Sequence, residues 1–218
     1  MKVWILIFVC MFSMPLLVAV LHFRMRKGQI LKIRQDYVKD ARYFGKSFSA
    51  LVEKALPEMK NGTIMLSRQE KVLEADGNQE FAQPDIEDLV IARNTVFCPQ
   101  QSDLHFQKEI YSEKDALFVK ENIRIRAVYS KKRLLFGNKI RLLRWADAEH
   151  AVAVYDECDL GERVSSGEQL VIGFDNVFHS LYAPMIRLGQ RPEEPDRFME
   201  KRRSEEHTSE LQSPVPIS

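Results

Sequence analysis

The second half of the chain repeats one pattern of apolar and polar positions about every 18 residues. Four segments align: ALFVKENIRI from Ala116, RLLFGNKIRL from Arg133, AVAVYDECDL from Ala151 and QLVIGFDNVF from Gln169. In each segment the second and fourth residues are apolar, a turn of three residues follows, and two more alternating positions come after the turn. A fixed period with alternation inside it is typical of a β-solenoid, in which each repeat is one coil.

Alternation with a period of two places one side of each short strand in the interior and the other side in solvent. The predicted interior positions are Leu117 and Val119, Leu134 and Phe136, Val152 and Val154, Leu170 and Ile172, then Ile123 and Ile125, Ile140 and Leu142, Cys158 and Leu160, Asn176 and Phe178. Residues with turn chemistry separate the two sets in each repeat, at positions 120–122, 137–139, 155–157 and 173–175. Such turns bend the chain from one face of the coil to the next.

A third set of positions in each repeat predicts a triangular coil. The set comprises Arg126-Ala127-Val128, Arg144-Trp145-Ala146, Arg163-Val164-Ser165 and Leu181-Tyr182-Ala183, with the last residue of each (Val128, Ala146, Ser165, Ala183) at an interior corner. An antiparallel β-sandwich also has short strands at regular spacing and is the alternative. Position-by-position alignment over four units favours the solenoid.

The repeat extends in both directions. Residues 88–97 fit the same register, with Leu89, Ile91 and Phe97 at the apolar positions and residues 92–94 as the turn. Residues 98–101 are expected to lie in a looped or irregular coil, and residues 185–189 begin a fifth coil. The sequence therefore predicts an all-β solenoid domain over residues 83–202.

Residues 3–23 carry no charge and are nearly all apolar, which is long enough for a helix that crosses a bilayer. Basic residues follow before the first acidic residue, at Arg24, Arg26, Lys27, Lys32 and Arg34. The positive-inside rule then places the rest of the chain in the cytoplasm. We expect residues 1–23 to be a single-pass anchor in the cell membrane. A cleaved signal peptide is the alternative, but no cleavage site with small residues closes the apolar run.

The last residues, 203–218, resemble the in-frame translation of a sequencing adapter, and we treat them as a non-native tail.

Residues 24–82, between anchor and solenoid, do not show the 18-residue pattern. A helix is expected at residues 47–56, with Ser47 as N-cap and Pro57 at its end. A turn at Asn61-Gly62, a strand over residues 63–66, a partner over residues 71–74 and a second turn over residues 76–78 follow. This segment reads as a basic juxtamembrane and helix/hairpin linker.

Composition narrows the function classes. The chain has 32 Lys and Arg against 31 Asp and Glu, which indicates no polyanionic partner and no nucleic acid. Its three cysteines, Cys10, Cys98 and Cys158, have neither disulfide nor metal spacing, and Cys158 occupies an apolar position of the repeat. A buried reduced thiol is expected there. No nucleotide-binding or hydrolase motif is present in the sequence.

Three groups of polar residues are candidates for chemical sites. The densest acidic patch is Asp147, Glu149, His150, Asp156, Glu157, Asp159 and Glu162. The repeat places most of these residues on turns or outward positions, which favours a solvated surface over a cation site or acid–base pair. His105, His150 and His179 are scattered, and Arg126, Arg144 and Arg163 recur at one coil position as a basic ladder. We therefore expect no catalytic, cofactor-binding or metal-binding residues, and no enzyme.

An apolar segment at residues 3–23 followed by stacked coils from Ala116 to Gly189 resembles the bactofilins, the polymer-forming cytoskeletal proteins of bacteria. The resemblance implies a right-handed β-helix that assembles end to end without nucleotide and acts as a scaffold at the membrane. It implies self-association into a homopolymer, with cell-envelope or cell-shape proteins as further partners. The long segment before residue 88 departs from the family pattern.

Two alternatives come from other classes. One is an acyltransferase-type enzyme on a β-helix, which would show a strict period of six and a histidine on an extended loop. The other is a secreted polysaccharide-binding solenoid, which would require the N-terminal segment to be a cleaved signal.

Overall fold

The computed structural model describes Trp4, residues 10–15, 17 and 18, and residues 40–192. The chain divides into two compact units, Met1–Gln35 and Asp36–Ser218. The predicted anchor, residues 3–23, lies largely outside the described residues; those of its residues that are described are helical. Among the described residues, no helix is long and apolar enough to cross a membrane. The tail, residues 203–218, lies wholly outside them, so anchor and tail stay predictions.

The described part of the second unit contains one α-helix, one short 3-10 helix and a series of strands. The helix is α1 (Tyr43–Ala55), and the 3-10 helix is Leu56–Glu58. The strands are β1 (Thr63–Met65), β2 (Gln69–Glu74), β3 (Asn78–Gln79), β4 (Asp85–Ile86), β5 (Leu89–Ala92), β6 (Cys98–Pro99), β7 (His105–Ser112), β8 (Ala116–Phe118), β9 (Arg124–Ser130), β10 (Leu134–Phe136), β11 (Arg141–Ala148), β12 (Ala151–Val154), β13 (Arg163–Ser166), β14 (Gln169–Ile172), β15 (Leu181–Tyr182) and β16 (Met185–Leu188).

These strands form a β-solenoid of about six turns with a repeat of about 18 residues. Face 1 has the strand order β1-β2-β5-β7-β9-β11-β13-β15, parallel except for the β1–β2 hairpin. Face 2 has the order β16-β14-β12-β10-β8, all parallel. Face 3 consists of β4 and the first residues of β7, β9 and β11, and bridges through Asp159 and Val177 continue it. The predicted triangular coil is therefore confirmed.

The corners of the triangle have regular backbone chemistry. One residue per coil adopts a left-handed conformation between faces 2 and 3: Asn122, Lys139, Glu157 and Asp175, with φ between 55° and 59°. Each is the last residue of a predicted turn, so the turns are confirmed. Between faces 3 and 1 the long strands shift register, as between Leu142 and Trp145 in β11. Such a bulge bends a strand, which lets one strand serve two faces.

The interior of the solenoid is a continuous apolar core. Equivalent positions of successive coils stack because the ladders are parallel and in register: Ala116 on Leu134 on Val152 on Leu170, 18 residues apart. Towards the N-terminal coils the core is aromatic, and Phe118 stacks on Phe136 with ring centroids 5.7 Å apart. This stacking buries side chains that no single short strand could bury alone.

The predicted interior register was wrong by one residue in the first aligned segment. Ala116 and Phe118 face the core, whereas Leu117 and Val119 lie in an outer cluster with Leu135 and Ala153. Both alternating sets of this strand are apolar, so alternation could not choose between them. The larger Phe118 fills the interior beside Phe136.

Two further register predictions were wrong. On face 1, Val164 and Leu181 continue the interior column of Val128 and Ala146 in place of Ser165, and Ala183 packs against the core as predicted. In β5, Val90 and Ala92 face the core, while Leu89 and Ile91 point outward to a second apolar cluster. Phe97 lies in the core as predicted.

The segment before the repeats packs against the solenoid. Helix α1 begins at Tyr43, four residues before the predicted N-cap, and Ser47 lies inside it. Pro57 follows the end of α1 as predicted. The predicted turn at Asn61-Gly62 has positive φ at both residues and directly precedes β1, whereas the β1–β2 hairpin turns at residues 66–68. The parallel ladder of face 1 already begins at β2, within residues 24–82.

The corrected register predicts different consequences for two adjacent substitutions. Phe118→Ala is expected to lower the free energy of unfolding by about 3–5 kcal/mol, because it opens a cavity between Phe97 and Phe136. Val119→Ala, at a half-buried outer position, is expected to lower it by about 1 kcal/mol or less. Denaturant titration followed by circular dichroism measures both. Equal losses in the two variants would contradict this register.

Candidate functional site

At the N-terminal end of the solenoid the core and the strand edge of face 1 are covered, whereas β3 and β4 each pair with a described strand on one side only. Phe81 covers the end of the core and contacts Phe97 and Phe106 edge to face, with ring centroids 6.5 and 5.5 Å away. Ala75 and Ile86 at the same end are buried as well. The backbone edge of β2 is occupied by β1, which pairs with it in antiparallel orientation. This end therefore presents neither an open core nor a free β2 edge.

The C-terminal end of the described solenoid is open. Ile186 and Leu188 continue the interior column of face 2 above Leu170 and Ile172, yet they are 40% and 55% exposed. Their counterparts one coil earlier are at most 1% exposed. Other apolar side chains of the same coil are exposed too: Phe174, Val177, Phe178, Tyr182 and Met185. Within the described residues, the last coil thus presents interior positions without a covering layer.

The last strands at this end also have one edge each without a partner among the described strands. Strands β15 and β16 are the last strands of faces 1 and 2, and each pairs with a described strand on one side. The other edge of each strand meets no described strand. A free edge with apolar neighbours is a template for pairing with another chain. We take residues 174–188, called the open end below, as the candidate site.

A second feature is the attachment of α1 to face 1. The Arg42 guanidinium, just before the helix, donates to the Asp147 carboxylate on β11 through Nε at 2.9 Å and Nη2 at 3.0 Å. Nη2 also donates to the Ala148 carbonyl, and the Ser165 hydroxyl donates to Asp147 Oδ1 at 2.6 Å. Asp147 is 1% exposed, so this ion pair is almost fully desolvated.

Burial raises the pKa of Asp147 above its ordinary value, and the hydrogen bonds from Arg42 and Ser165 act in the opposite direction. Close approach of the helix is possible because Gly45 lies directly over Asp147. A Cβ atom at position 45 would overlap the Asp147 side chain. The two residues thus depend on each other: the carboxylate is buried because α1 covers it, and α1 can cover it because residue 45 is glycine.

Apolar and aromatic contacts complete the attachment. Phe48 of α1 packs edge to face on Trp145 and Tyr111, with ring centroids 5.6 and 6.4 Å away. Tyr111 stacks on Tyr129 of the next coil at 5.9 Å. Burial raises the pKa of both tyrosines, and the Tyr129 hydroxyl donates to Glu149 at 2.6 Å. The helix therefore covers an aromatic surface on face 1.

The predicted acidic patch does not come together in space. Asp147 is buried under α1, whereas Asp159 lies on face 3 opposite Arg141. Asp156 lies near the corner of faces 2 and 3, where Arg191 donates to it at 2.9 Å. Among the described residues, no group of three or more His, Cys, Asp or Glu could hold a metal ion. Asp147 is buried and so departs from the solvated surface that was expected for most of this patch.

The other sequence candidates are also separated. His105 pairs with Asp85 and His150 with Glu168, on different coils, and His179 is exposed. Arg163 leaves the predicted basic ladder, because it aligns with Trp145 and donates to the Ala41 carbonyl at 3.2 Å. Cys158 is buried and free, as expected, and burial raises the pKa of its thiol to about 11.

No family model, curated protein or solved structure matches this chain.

The sequence did not predict the Arg42–Asp147 ion pair, because 105 residues separate the two partners. One sequence signal was available: Asp147 stands in a β-strand pattern between Ala146 and Ala148, where an outward carboxylate needs either solvent or a cation.

Removing one partner of the buried ion pair is expected to destabilise the domain strongly. Arg42→Ala leaves Asp147 without its cation and should lower the free energy of unfolding by about 3–5 kcal/mol. Arg93→Ala is the matched control: it breaks the ion pair with Glu74, which is 40–53% exposed, and should cost less than about 1 kcal/mol. Urea titration measures both. A similar small loss in both variants would show that the buried pair is energetically unimportant.

Proposed function

We propose that this chain is a membrane-anchored scaffold of the bactofilin-like type, which self-associates through its β-solenoid without nucleotide. The observation that carries the proposal is the open end, where interior positions of the last described coil are 40–55% exposed. Covering them with a further coil-like layer would bury apolar surface at about 25 cal/mol per Å².

The backbone supports the same proposal. Each strand added to β15 or β16 would continue a parallel or antiparallel ladder and satisfy donors and acceptors on the free edge. Apolar contact and ladder hydrogen bonds would then act together on one surface. Neither contribution requires a bound nucleotide or a metal ion, because both come from the polypeptide.

The membrane part of the proposal depends on the apolar residues 3–23 and the basic residues that follow them. A helix of this length and composition partitions into a bilayer, and the basic cluster favours a cytoplasmic solenoid. Anchoring would confine the protein to a surface and raise its local concentration, which favours a self-association of modest strength.

Substitutions at the open end test self-association. We expect Ile186→Asp to weaken self-association of the full chain in detergent by at least about tenfold, because it introduces a charge where an apolar side chain would be buried. Tyr182→Glu, at an outward position of the same end, should weaken it without affecting the core. Leu143→Asp, on the exposed side of β11, is the control and should have no effect.

Sedimentation velocity over a range of concentrations, without added nucleotide, measures the effect. Circular dichroism shows whether each variant is folded. A wild-type chain that stays monomeric at the highest concentration would refute the scaffold proposal, and discrete trimers independent of the open end would favour the acyltransferase-like alternative.

The anchor and its orientation are tested in cells. We expect the intact chain to remain in membranes after carbonate extraction and a chain lacking residues 3–23 to be released. A cysteine introduced at exposed position 120, in a Cys10→Ser/Cys98→Ser background, should react with a membrane-impermeant maleimide only after the cells are opened. Recovery of a shortened, secreted chain would instead identify a cleaved signal peptide.

A further inference from the structure

We propose that residues 193–202, which lie outside the described residues, fold back over the outer surface of face 2, where Phe198 and Met199 pack on an apolar cluster. The segment would cover face 2 as α1 covers face 1. Three features support this proposal: the burial of side chains that point out of face 2, the path of the chain after β16, and the apolar residues of the segment. The proposal does not depend on self-association.

The outer surface of face 2 is buried, although its side chains point away from the core. Leu117, Leu135 and Ala153 lie side by side on β8, β10 and β12 and are only 5%, 0% and 4% exposed. On face 3, by contrast, the outward residues Arg124 and Arg141 are exposed. Outward side chains of a sheet face solvent unless a second layer covers them. The burial of the three residues, called the outer cluster below, therefore indicates a covering layer.

The described neighbours of the outer cluster belong to the same face. The partly buried apolar side chains that pack on it come from the ends of β8 and β12 and from residues 96–98 beside β8: Val96, Cys98, Val119 and Tyr155. Helix α1 packs on face 1 instead. The ion pair of Arg133 with Asp115, on the outer side of β10 and β8 by alternation, is also buried, with side chains 15% and 3% exposed. The buried surface thus extends beyond the outer cluster.

The chain turns back towards this surface after the last strand. Gly189, directly after β16, has a left-handed conformation with φ of 68°. Arg191 then donates through Nε to Asp156 at 2.9 Å. Asp156 follows β12, which is two strands before β16 in the ladder of face 2. The chain at Arg191 is therefore tied to the coil that carries Ala153 of the outer cluster.

The other end of the described segment enters over a different face. The Ala41 carbonyl accepts a hydrogen bond from Arg163, and Arg42 pairs with Asp147, both on strands of face 1. Residues before Asp40 therefore begin on face 1, whereas residues 193–202 begin at the edge of face 2. This difference favours the C-terminal segment as the cover.

Residues 193–202 are long enough to span the outer cluster. Phe198 lies seven residues after Arg191, a stretch of about 10 Å as a helix and up to about 25 Å when extended. Leu117 is two strands away from Ala153, or about 10 Å. Either conformation can therefore bring Phe198 and the adjacent Met199 onto the cluster.

The composition of the segment fits an apolar strip with solvent on both sides. Phe198 and Met199 are its two large apolar side chains, and the other residues are charged except Pro195. The small Ala153 leaves room beside Leu135 for a ring or a flexible methionine, which adapts to irregular gaps. Covering the strip would remove an apolar surface at which copies could otherwise associate side by side.

The reactivity of one introduced thiol tests the proposal. Ala153→Cys is made in the full chain with Cys10→Ser/Cys98→Ser, and its alkylation by N-ethylmaleimide is followed by mass spectrometry. We expect the thiol to be protected, and to react at least about tenfold faster when Phe198→Asp/Met199→Asp is added, because charged side chains would not stay on an apolar cluster and the cover would open.

Two controls belong to this experiment. Glu193→Ala/Glu194→Ala changes two charged residues of the same segment and should leave the alkylation rate unchanged. Cys158, buried in the core of the same chain, should stay unreactive in every variant and so reports global unfolding. If it becomes reactive in the aspartate variant, the rate is read instead in Phe198→Ser/Met199→Ser.

Three results would overturn the proposal. A thiol at position 153 that reacts rapidly in the parent chain would show that face 2 is not covered. Equally slow reaction with and without the substitutions at positions 198 and 199 would show that another segment covers it. Protection that is lost on dilution would identify a second copy of the chain as the cover.

Discussion

The in-register parallel ladder between successive coils is the constraint on which the rest of this structure depends. Because equivalent residues stack 18 positions apart, one apolar side chain per coil is enough to extend a continuous core. Coils that are each too short to fold alone thereby bury Phe118 on Phe136 and Val152 on Leu170. Stacking also leaves the first and last described coils with a neighbour on one side only. The exposed side of each must be capped or bind a partner.

The two ends meet this requirement differently. At the N-terminal end, Phe81 closes the core and the β1–β2 hairpin occupies the strand edge of face 1. At the C-terminal end, the described chain leaves Ile186, Leu188 and Phe178 exposed in positions that are interior elsewhere. This difference gives the solenoid a direction, and the proposed function depends on it rather than on a cluster of reactive side chains.

Helix α1 links this rod to the segment before it. Its attachment combines an aromatic contact, Phe48 on Trp145, with the desolvated pair of Arg42 and Asp147. A buried ion pair contributes less to net stability than to geometry, because its two charges must meet in one arrangement. Here it sets where the chain joins the solenoid, on the strands next to the last coil. The expected loss on removal of Arg42 reflects the cost of leaving the Asp147 carboxylate buried without its cation.

Structural features that depend on neighbouring residues could be predicted from the sequence. The period of about 18 residues, the three faces of each coil, the left-handed turn residues such as Asn122 and Lys139, and the burial of Cys158 follow from alternation, turn propensity and spacing, which act over a few neighbouring residues. The end of α1 before Pro57 was predictable for the same reason, since proline lacks the N–H donor that a helix interior needs.

The tertiary structure decided what depends on partners distant in the chain. Strands apolar on both sides, such as residues 116–119 and 89–92, have no preferred interior side until the core and α1 are in place. The sequence indicated a solvated carboxylate at Asp147, because the arginine that pairs with it lies 105 residues away. The sequence did not indicate the first turn of α1, because that turn contains Gly45, whose small size allows the contact with the Asp147 carboxylate. The sequence by itself determined the repeat, because repetition is local; only the fold decided which side of each strand is inside and which end is closed, because those are set by contacts between residues far apart in the chain.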